Sequence, residues 1–445
     1  MGVKKVEKKN VAKLASITAT ALLSATLLKN RASKSTARAK IVIVGGGTAG
    51  ITVAARLSRA LEYPDIILVE PSAKHQYQPG YTLIASGVFK PARTTREEKD
   101  LIPKGVRWVQ ERVVEIDPES QHVKTSGGQR IDYDYLVVAP GLQLNYEQIA
   151  GLDGNLGKNG ICSIYTHEQA AKTWQMIRSF EGGNTLFTTV RTPIKCGGAP
   201  QKIMYLADDF WRSKRVRERT NITFATPSDR FFGIEAYANT INQVVKRKNI
   251  EGKFGHSLIE VRPDEREAVF SVRRQTKIGG EVVTEESQEV LPYDLLHVVP
   301  PMSAPDFIQE SPLSYQEGPN EGWLKVDKHT LQHPDYGNVF GAGDVMGVAS
   351  NKTGAAVRKE APVLVHNLVA TMEGKDPSSF RQYKGYTSCP LITGYGKVVL
   401  AEFDYSGKPT PSFPHDSTKE KYSMWLLKVY GLPVMYWHLM LKGLA

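Results

Sequence analysis

Cysteine is scarce in this sequence. Three occur among 445 residues: Cys162, Cys196 and Cys389. So few cysteines, with no Cys-x-x-Cys pair among them, exclude a disulfide-rich scaffold and the common zinc-finger patterns. We therefore expect no metal site. The length favours two or three domains, and the ordinary apolar and charged fractions are typical of a globular protein.

Positive charge is nearly confined to the start of the chain. Residues 1–39 carry +8 of the formal net charge of +11, which leaves about +3 for the rest. Because no dense basic patch interleaved with aromatic residues remains, the sequence argues against a nucleic-acid-binding protein. The almost acid-free segment 1–39 resembles a mitochondrial targeting leader. A secretory signal and a membrane anchor remain alternatives, although its apolar stretch, 14–28, is short for a membrane span.

A glycine-rich loop follows the first apolar run of the body. Residues 41–44 predict a buried strand, and Gly45, Gly47 and Gly50 complete a G-x-G-x-x-G pattern before a predicted helix over 51–61. A second predicted strand ends at the acidic Glu70, 20 residues after the last glycine. This arrangement predicts a dinucleotide site. The glycines allow close approach to a pyrophosphate, the helix N-terminus attracts it, and Glu70 accepts the ribose hydroxyls.

Two later segments favour FAD over NAD as the dinucleotide. Residues 135–141 predict a strand that runs into a turn at Gly141, and residues 338–344 predict another that ends at Asp344. Asp344 is expected to bind a ribityl hydroxyl. A helix from about Thr353 would direct its positive N-terminal end at the flavin. An ordinary strand with an aspartate turn is the structural alternative.

The glycine fingerprint is absent from a second strand–turn–helix unit. Residues 184–200 have the frame of a nucleotide-binding unit, but Lys195 and Cys196 stand in its turn, and Cys196 takes the place of a glycine. Without this loop, we do not expect the second unit to bind a nicotinamide. A thiol at this position points instead to sulfur chemistry against a flavin.

Cys196 and Cys389 have three possible interpretations. They form a redox pair, a structural disulfide, or two unpaired core thiols. The redox interpretation is favoured because bridges in reducing compartments are usually chemical. The neighbouring Lys195 and a predicted helix start also lower the pKa of the Cys196 thiol.

Five short segments resemble the sulfide:quinone oxidoreductases, and the mitochondrial-type branch in particular. The resemblance covers roughly residues 40–443. Its most specific parts are residues 75–79 (HQYQP), 193–202 (PIKCGGAPQK), 231–234 (FFGI), 386–391 (YTSCPL) and 436–443 (YWHLMLKG).

The resemblance implies a noncovalent FAD, two redox cysteines, hydrogen sulfide as substrate and a quinone, ubiquinone first, as electron acceptor. Hydrosulfide would attack an oxidised Cys196/Cys389 bridge, with or without an additional sulfur. Cys389 would keep the sulfane sulfur while Cys196 faces the flavin. A small acceptor such as glutathione or sulfite would then remove the sulfur. Cys162 is expected to be a buried thiol without a catalytic role. The expected cofactor-binding residues are Gly45, Gly47, Thr48, Ala49, Gly50, Glu70, Gln78, Val113, Gly141, Asp344, Lys352, Thr353 and Gly354.

The C-terminal segment is apolar and aromatic but interrupted. Residues 422–444 are rich in Trp, Tyr, Leu and Met, with Lys428 and Lys442 among them and a Gly-Leu-Pro sequence at 431–433. These interruptions predict two short amphipathic pieces that lie on a membrane surface. A soluble dimer interface is the alternative. The resemblance implies peripheral, monotopic attachment to the mitochondrial inner membrane. The aromatic pair Phe231 and Phe232 has two interpretations, a quinone sandwich or ordinary core packing.

The sequence as a whole predicts an α/β fold with two Rossmann-like dinucleotide-binding domains and a C-terminal amphipathic membrane-attachment region. Alternatives are an NADH:quinone reductase, a sulfide dehydrogenase that reduces a cytochrome, and a flavoprotein with a binding or signalling role. The expected organisation is a targeting leader over 1–39, an FAD-binding domain over 40–155 and 335–380, a second Rossmann-like domain over 156–334, and a redox-cysteine and membrane region over 381–445.

Overall fold

A computed structural model of the protein describes residues 36–278 and 281–445. Most of the predicted leader and the two glycines at 279–280 lie outside the described residues. The first strand, Thr36–Val44, lies inside a seven-stranded sheet and pairs in parallel with strands on both sides. Its second half is almost fully buried, as its continuous apolar run predicts. In spatial order the six strands of the main path are Arg107–Val109, Ile66–Val69, Thr36–Val44, Arg130–Val138, His122–Thr125 and Val113–Asp117.

The chain returns to this first sheet late in the sequence. Val339–Gly341 pairs in parallel with Arg130–Val138 as the seventh strand. The helix Gly354–Met372 then packs against the helix Thr48–Ala60, which follows the glycine loop. One layer therefore contains both the glycine loop and the Asp344 segment, although about 300 residues of sequence separate them.

The second sheet is entirely parallel and has five strands. Their spatial order is Ile161–Cys162, Leu295–His297, Gly183–Thr188, Thr220–Thr226 and Glu251–Phe254. The helices His167–Ser179, Ala199–Ser213 and Glu235–Lys248 accompany it. Parallel strands joined through helices form the Rossmann arrangement. The prediction of two Rossmann-like units is thus confirmed.

Two antiparallel additions complete the sheets. His256–Arg262, Glu267–Ile278 and Glu281–Pro292 form a three-stranded sheet, whose last two strands are a long hairpin. Thr387–Gly394 and Lys397–Phe403 form a second hairpin that packs on the helix Ala199–Ser213. Short paired strands occur at Lys74–Gln76 with Thr95–Glu97 and at Gln143–Leu144 with Met302–Ser303. The short helices are Gln78–Gly80, Tyr81–Ile84, Pro91–Thr94, Glu98–Asp100, Tyr146–Gln148, Arg217–Arg219, Asp306–Gln309, Gly343–Val345 and Pro377–Ser379.

The C-terminal segment is more continuous than the sequence predicts. A helix over Tyr422–Leu426 passes through a π-helical turn, Leu427–Gly431, directly into Leu432–His438, and a short turn, Met440–Lys442, follows. The expected break at 431–433 is therefore wrong. Pro433 lies near the start of Leu432–His438, and the wider π turn before it provides room for the proline ring. Within residues 36–278 and 281–445, no helix is both long and apolar enough to cross a membrane.

Candidate functional site

The glycine loop joins the first strand of the first sheet to its helix. A Cβ atom on Gly50 would lie 1.8 Å from the carbonyl oxygen of Gly45, so only glycine lets the helix pack this closely on the turn. Thr48 begins the helix, and its first-turn amide groups point toward the loop. The sequence folds here as a phosphate cradle because no side chain fills the space before the helix N-terminus.

Glu70 lies directly beside this loop. Its Oε2 accepts a hydrogen bond from the Gly46 amide at 2.8 Å, and its Oε1 accepts one from the Ser72 amide at 2.7 Å. Burial raises the pKa of Glu70, and the two amide hydrogen bonds oppose that rise. Each carboxylate oxygen keeps a further lone pair, which can accept a ribose hydroxyl.

A cavity of about 590 Å³ extends from the glycine loop to the paired cysteines. Its lining includes the predicted residues Gly47, Thr48, Ala49, Glu70, Gln78, Gly141, Cys196, Asp344, Lys352, Thr353 and Gly354. Gly45 lies behind the lining in the turn, and Gly50 lies behind it in the first turn of the helix. Cys389 lies behind Cys196. Val113 is only 3% exposed and packs in the hydrophobic core of the first sheet, outside the lining.

Lys352 and Thr353 form another part of the cavity wall. The Lys352 Nζ donates hydrogen bonds to the carbonyl oxygens of Asp344 at 2.6 Å and Met346 at 3.0 Å, and it lies over the Trp323 ring. Burial lowers the pKa of Lys352 to about 8. Burial raises the pKa of Asp344, and the Lys352 and Lys195 ammonium groups oppose that rise.

Thr353 caps the helix that begins at Gly354. Its Oγ1 accepts a hydrogen bond from the Ala356 amide at 3.1 Å. The positive end of this helix dipole therefore faces the cavity, where it favours negative charge. The position of this helix start agrees with the helix predicted from about Thr353.

A buried polar chain that sequence reasoning missed links the nucleotide end to the C-terminal segment. His75 Nδ1 lies 3.1 Å from a Glu98 oxygen, and His75 Nε2 lies 2.6 Å from the Tyr436 hydroxyl. That hydroxyl is also 2.8 Å from Thr48 Oγ1. The other Glu98 oxygen is buried without a hydrogen-bond partner among the described residues, and Glu98 lines the cavity. The only sequence signal was that His75 and Tyr436 both fall in family-like motifs.

Cys196 occupies the turn between the strand Gly183–Thr188 and the helix Ala199–Ser213. Its φ angle is +53°, in the left-handed region that normally favours glycine. The amide of Cys196 donates a hydrogen bond to the Lys352 carbonyl oxygen at 2.9 Å, which ties this turn to the wall of the nucleotide cavity. Cys196 therefore has a backbone conformation that is usual for glycine. This backbone conformation sets the direction of its thiol.

Cys389 comes from the second hairpin. Its Sγ lies 3.4 Å from Cys196 Sγ, and both are free thiols. A disulfide needs about 2.05 Å between the sulfurs, so a small side-chain rotation could join them. Gly198 makes this approach possible, because a Cβ there would lie 2.7 Å from Cys389 Sγ.

Lys202 supplies positive charge to the pair. One turn into the helix, its Nζ lies 3.1 Å from Cys196 Sγ. The hydrogen bond from Cys389 and the Lys202 ammonium hold the pKa of Cys196 well below its ordinary value. The same thiol–thiol hydrogen bond, together with burial, raises the pKa of Cys389. These opposite shifts favour the thiolate form at Cys196 and the protonated form at Cys389.

Lys428 is a second cation that sequence reasoning did not assign to the site. It belongs to the π-helical turn, is 3% exposed, and donates a hydrogen bond to the Pro79 carbonyl oxygen at 2.8 Å. Burial and the nearby Lys202 charge lower the pKa of Lys428 to about 7. A lysine inside an apolar segment was the available signal, since a buried cation requires a partner.

The C-terminal segment presents two faces. Leu427, Leu432, Met435 and Met440 line the cavity. The opposite face leaves these large apolar side chains exposed: Tyr422, Leu426, Tyr430, Val434, Leu439 and Leu444. A segment that is apolar on both sides can close a cavity and still contact an apolar environment.

Phe231, Phe232 and Cys162 are not among the residues that line the cavity. Phe231 packs against Phe224 and Phe254. Cys162 is fully buried in the first strand of the second sheet, where burial raises its pKa to about 12. A thiol in that environment stays protonated and unreactive.

A family model, several named proteins and solved structures are similar to this chain. A family model of pyridine nucleotide-disulphide oxidoreductases matches residues 39–177. The mouse protein named mitochondrial sulfide:quinone oxidoreductase is 41% identical over 404 residues, which cover 91% of this chain and 86% of the mouse protein. The Dictyostelium discoideum protein of the same name is 42% identical, with 91% and 86% covered. A crystal structure of the Aquifex aeolicus sulfide:quinone oxidoreductase superposes with a TM-score of 0.75 at 19% identity, covering 92% of each chain.

The two Rossmann-like sheets, the glycine loop and the paired thiols define a flavoprotein of the pyridine nucleotide-disulphide oxidoreductase class. Its cofactor is FAD. Within that class, the chain belongs to the sulfide:quinone oxidoreductase family.

Three observations indicate that the cavity can hold FAD. Two concern the glycine loop and one concerns the helix start at Thr353. The glycine loop leaves an open cradle before a helix N-terminus, since no atom lies within 4 Å of a Cβ built on Gly47. Glu70 offers acceptor oxygens for hydroxyl groups beside that cradle. At the other end, the capped helix at Thr353 directs a positive dipole into the cavity.

Proposed function

We propose that this protein oxidises hydrogen sulfide with Cys196 and Cys389 and delivers two electrons through FAD to a membrane quinone. The observation that carries the proposal is the 3.4 Å contact between the two sulfurs, one of which lines the FAD cavity. Family membership supports sulfide and quinone as substrates. The contact between the two sulfurs supports Cys196 and Cys389 as the reacting residues.

Sulfur exchange at the cysteine pair forms the first half of the reaction. Hydrosulfide attacks the oxidised bridge at Cys389, so that one S–S bond forms to the incoming sulfur and the Cys196–Cys389 bond breaks. Cys389 then holds a persulfide, and Cys196 leaves as a thiolate. Lys202 stabilises that leaving thiolate at 3.1 Å. Cys196 is the better leaving group because its pKa is lowered.

Removal of the sulfane sulfur allows the Cys196–Cys389 bridge to form again. A small nucleophile takes the sulfur from Cys389 and leaves a second thiolate. The two thiolates lose two electrons when they close the bridge again. When bound, FAD supplies the two-electron chemistry that connects this step to the quinone. Glutathione and sulfite are the acceptors that we propose.

The residues proposed to hold FAD divide into groups by their position along the cavity. Those of the loop and the adjacent strand hold the nucleotide, and those of the Asp344 segment hold the flavin. The nucleotide group is Gly45, Gly47, Thr48, Ala49, Gly50 and Glu70, with Val113 as an adjoining strand residue. The flavin group is Gln78, Gly141, Asp344, Lys352, Thr353 and Gly354.

The C-terminal segment is the proposed quinone entrance. Leu427, Leu432 and Met435 line the cavity from the inside, while exposed apolar residues such as Tyr430 and Val434 cover the outside. The exposed face would lie in the headgroup layer of the mitochondrial inner membrane as a monotopic attachment. Quinone would then reach the cavity without entering water.

We propose a domain organisation in which each range of residues supplies one part of this site. Residues 40–155 and 335–380 bind FAD. Residues 156–334 supply Cys196, and residues 381–445 supply Cys389 and the membrane face. The segment 1–39 is proposed as a mitochondrial targeting leader.

Stopped-flow spectra of the bound flavin test the proposal. Sulfide should bleach the oxidised flavin rapidly, and a soluble quinone should restore it. NADH should not bleach it at a useful rate, because the second Rossmann-like unit lacks the glycine fingerprint that would bind it. Fast bleaching by NADH together with no response to sulfide would support a nicotinamide:quinone reductase instead.

A further inference from the structure

The two faces of the second hairpin have different chemistry. Successive side chains of a strand point to opposite faces, so Cys389 and Leu391 lie on one face while Ser388 and Pro390 lie on the other. Ser388 pairs across the hairpin with Glu402, and Pro390 pairs with Leu400. All four residues of this second face line the cavity. This face is separate from the sulfur-bearing one.

Glu402 is the acidic group of this face. It is 2% exposed, yet it lines the cavity. Its Oε1 accepts hydrogen bonds from the Tyr386 hydroxyl at 2.5 Å and the Ser412 hydroxyl at 2.6 Å, and its Oε2 accepts one from the Ser412 amide at 2.8 Å. Within residues 36–278 and 281–445, no cation lies close enough to form an ion pair with it. The two hydroxyl partners of Glu402 provide a hydrogen-bonded path along which a proton can move.

The same hydrogen-bonded group reaches the protein surface. Ser412 is exposed, and Phe413 beside it is 40% exposed. Both line the cavity. A proton can therefore pass from solvent to Ser412, from Ser412 to Glu402, and from Glu402 to the Tyr386 hydroxyl. Tyr386 remains a protonated phenol at rest, because burial and the Glu402 hydrogen bond raise its pKa.

A donor without a partner lies next to this group. Arg358 Nε is buried and has no hydrogen-bond partner among the described residues, and Arg358 lines the cavity. The guanidinium carbon lies 5.8 Å from the Tyr386 ring centre, and Lys359 Nζ lies at the same distance. An unpaired buried donor points to a ligand oxygen, because leaving it unsatisfied costs about 1–3 kcal/mol.

The apolar neighbours indicate which ligand brings that oxygen. Pro390 and Leu400 lie on the same hairpin face, and the cavity continues from them to Leu427 and Leu432 of the C-terminal segment. Thr387, next to Tyr386, shares a hydrogen bond of 3.0 Å with the helix-capping Thr353. A flat apolar ring with carbonyl oxygens suits a space with apolar walls, one free donor and one proton-exchanging pair. An anionic sulfur acceptor would leave those apolar walls without a partner.

We propose that Tyr386 and Glu402 deliver the proton that completes quinone reduction, and that Arg358 holds the quinone oxygen. This inference rests on the sulfide:quinone activity proposed above. Conversion of quinone to quinol needs two electrons and two protons. Bound FAD would supply the two electrons and one of these protons, so the second proton must reach the quinol anion from the protein. Tyr386 gives its hydroxyl proton to the anion oxygen. A proton from solvent then moves through Ser412 to the Glu402 carboxylate and on to the Tyr386 phenolate.

The test separates the two half-reactions of the holoenzyme. Flavin is reduced chemically with dithionite, so that sulfide is not involved, and is then reoxidised by a soluble quinone or by ferricyanide. In Glu402→Gln and in Tyr386→Phe, reoxidation by quinone should slow by about 100-fold, the usual contribution of a positioned acid. The double variant should lose no more than either single one, since the two groups act in series. Reoxidation by ferricyanide should keep the wild-type rate, because ferricyanide accepts electrons without protons.

Matched controls and contrary outcomes make the test decisive. Glu289→Gln removes a carboxylate paired with Lys253 and His256 on the three-stranded sheet, and it should leave both rates unchanged. FAD content and thermal unfolding report whether each variant is folded, and Tyr386→Phe keeps the proposal testable if Glu402→Gln is not. Equal slowing with quinone and ferricyanide would overturn the proposal. So would wild-type quinone rates combined with slower sulfur transfer to sulfite, which would assign this face to the sulfur acceptor. Failure of sulfide to reduce wild-type flavin would refute the proposed function alone.

Discussion

The hydroxyl of Tyr436 lies 2.8 Å from the hydroxyl of Thr48, although 388 positions separate the two residues. Thr48 begins the helix that follows the glycine loop, and Tyr436 belongs to the C-terminal helix. The same Tyr436 hydroxyl also contacts His75 at 2.6 Å. The segment that we assign to the membrane is therefore bonded directly to the nucleotide cradle, so that docking of one supports the shape of the other.

Tyr436→Phe should weaken FAD retention. The change removes the hydroxyl from a buried chain and leaves His75 and Thr48 each without one partner, at a cost of about 1–3 kcal/mol. If about 1.4 kcal/mol of that cost falls on the cradle, FAD affinity should drop by about tenfold. FAD release during repeated ultrafiltration measures this. Tyr422→Phe, at a tyrosine that is 64% exposed, is the matched control. Equal retention in both variants would show that the contact does not support the cofactor site.

Glu70→Arg should remove FAD more severely. The carboxylate accepts the Gly46 and Ser72 amides and is proposed to accept the ribose, and an arginine there loses these bonds and cannot fit the same space. We expect most of the purified protein to lack flavin, as read from the ratio of flavin to protein absorbance. Glu62→Arg, an exposed change of the same charge beyond the first helix, should retain flavin. An unchanged flavin content in Glu70→Arg would count against the assigned site.

Lys202→Met should change how reactivity at Cys196 depends on pH. The thiol–thiol hydrogen bond and then the Lys202 ammonium lower the pKa of Cys196. A lowered pKa means that the thiolate is present above that value and disappears only as the pH falls through it. Without the cation the pKa rises, so the thiolate is lost at a higher pH. Alkylation of the reduced protein at neutral pH should slow by about tenfold and recover at alkaline pH. A rate profile identical to wild type would show that Lys202 does not act on the thiol.

Lys428 should titrate near neutral pH. Burial and the neighbouring Lys202 lower its pKa to about 7. Because the pKa is lowered, the ammonium form exists below about pH 7 and the neutral amine above it. The charge in the cavity therefore rises as the pH falls, and the spectrum of bound oxidised flavin should shift with a midpoint near 7. Lys428→Met should abolish this shift, whereas Lys442→Met, at the exposed end of the chain, should keep it. A shift that persists in Lys428→Met would assign the titration to another group.

Local patterns predicted much of this molecule. The continuous apolar run before Gly45 and the glycine spacing after it predicted the first strand and helix. The replacement of a glycine by Cys196 predicted a thiol in a nucleotide-type turn. These features depend on neighbouring residues, so a short stretch of sequence contains them.

Long-range contacts were not predictable from the same patterns. Lys428 reaches the cysteine site, and Tyr436 reaches the glycine loop, only because the C-terminal segment folds back across the cavity. The π turn before Pro433 was missed for a related reason: tertiary packing stabilises a helix that local propensity would break. Glu402 is another example, because only the hairpin register places it beside Ser388 and across from Tyr386.

The cysteine pair provides the decisive prediction. Cys196→Ser and Cys389→Ser should each retain FAD, because neither side chain belongs to the glycine loop or its helix. Each should lose sulfide-dependent quinone reduction by several orders of magnitude, because a single thiol cannot form or exchange a bridge. Cys162→Ser should stay near the wild-type rate, since that thiol is fully buried in the second sheet and its raised pKa keeps it protonated. Steady-state quinone reduction with sulfide measures all three variants. Near-wild-type turnover in both Cys196→Ser and Cys389→Ser would refute the sulfide mechanism, whatever the flavin content.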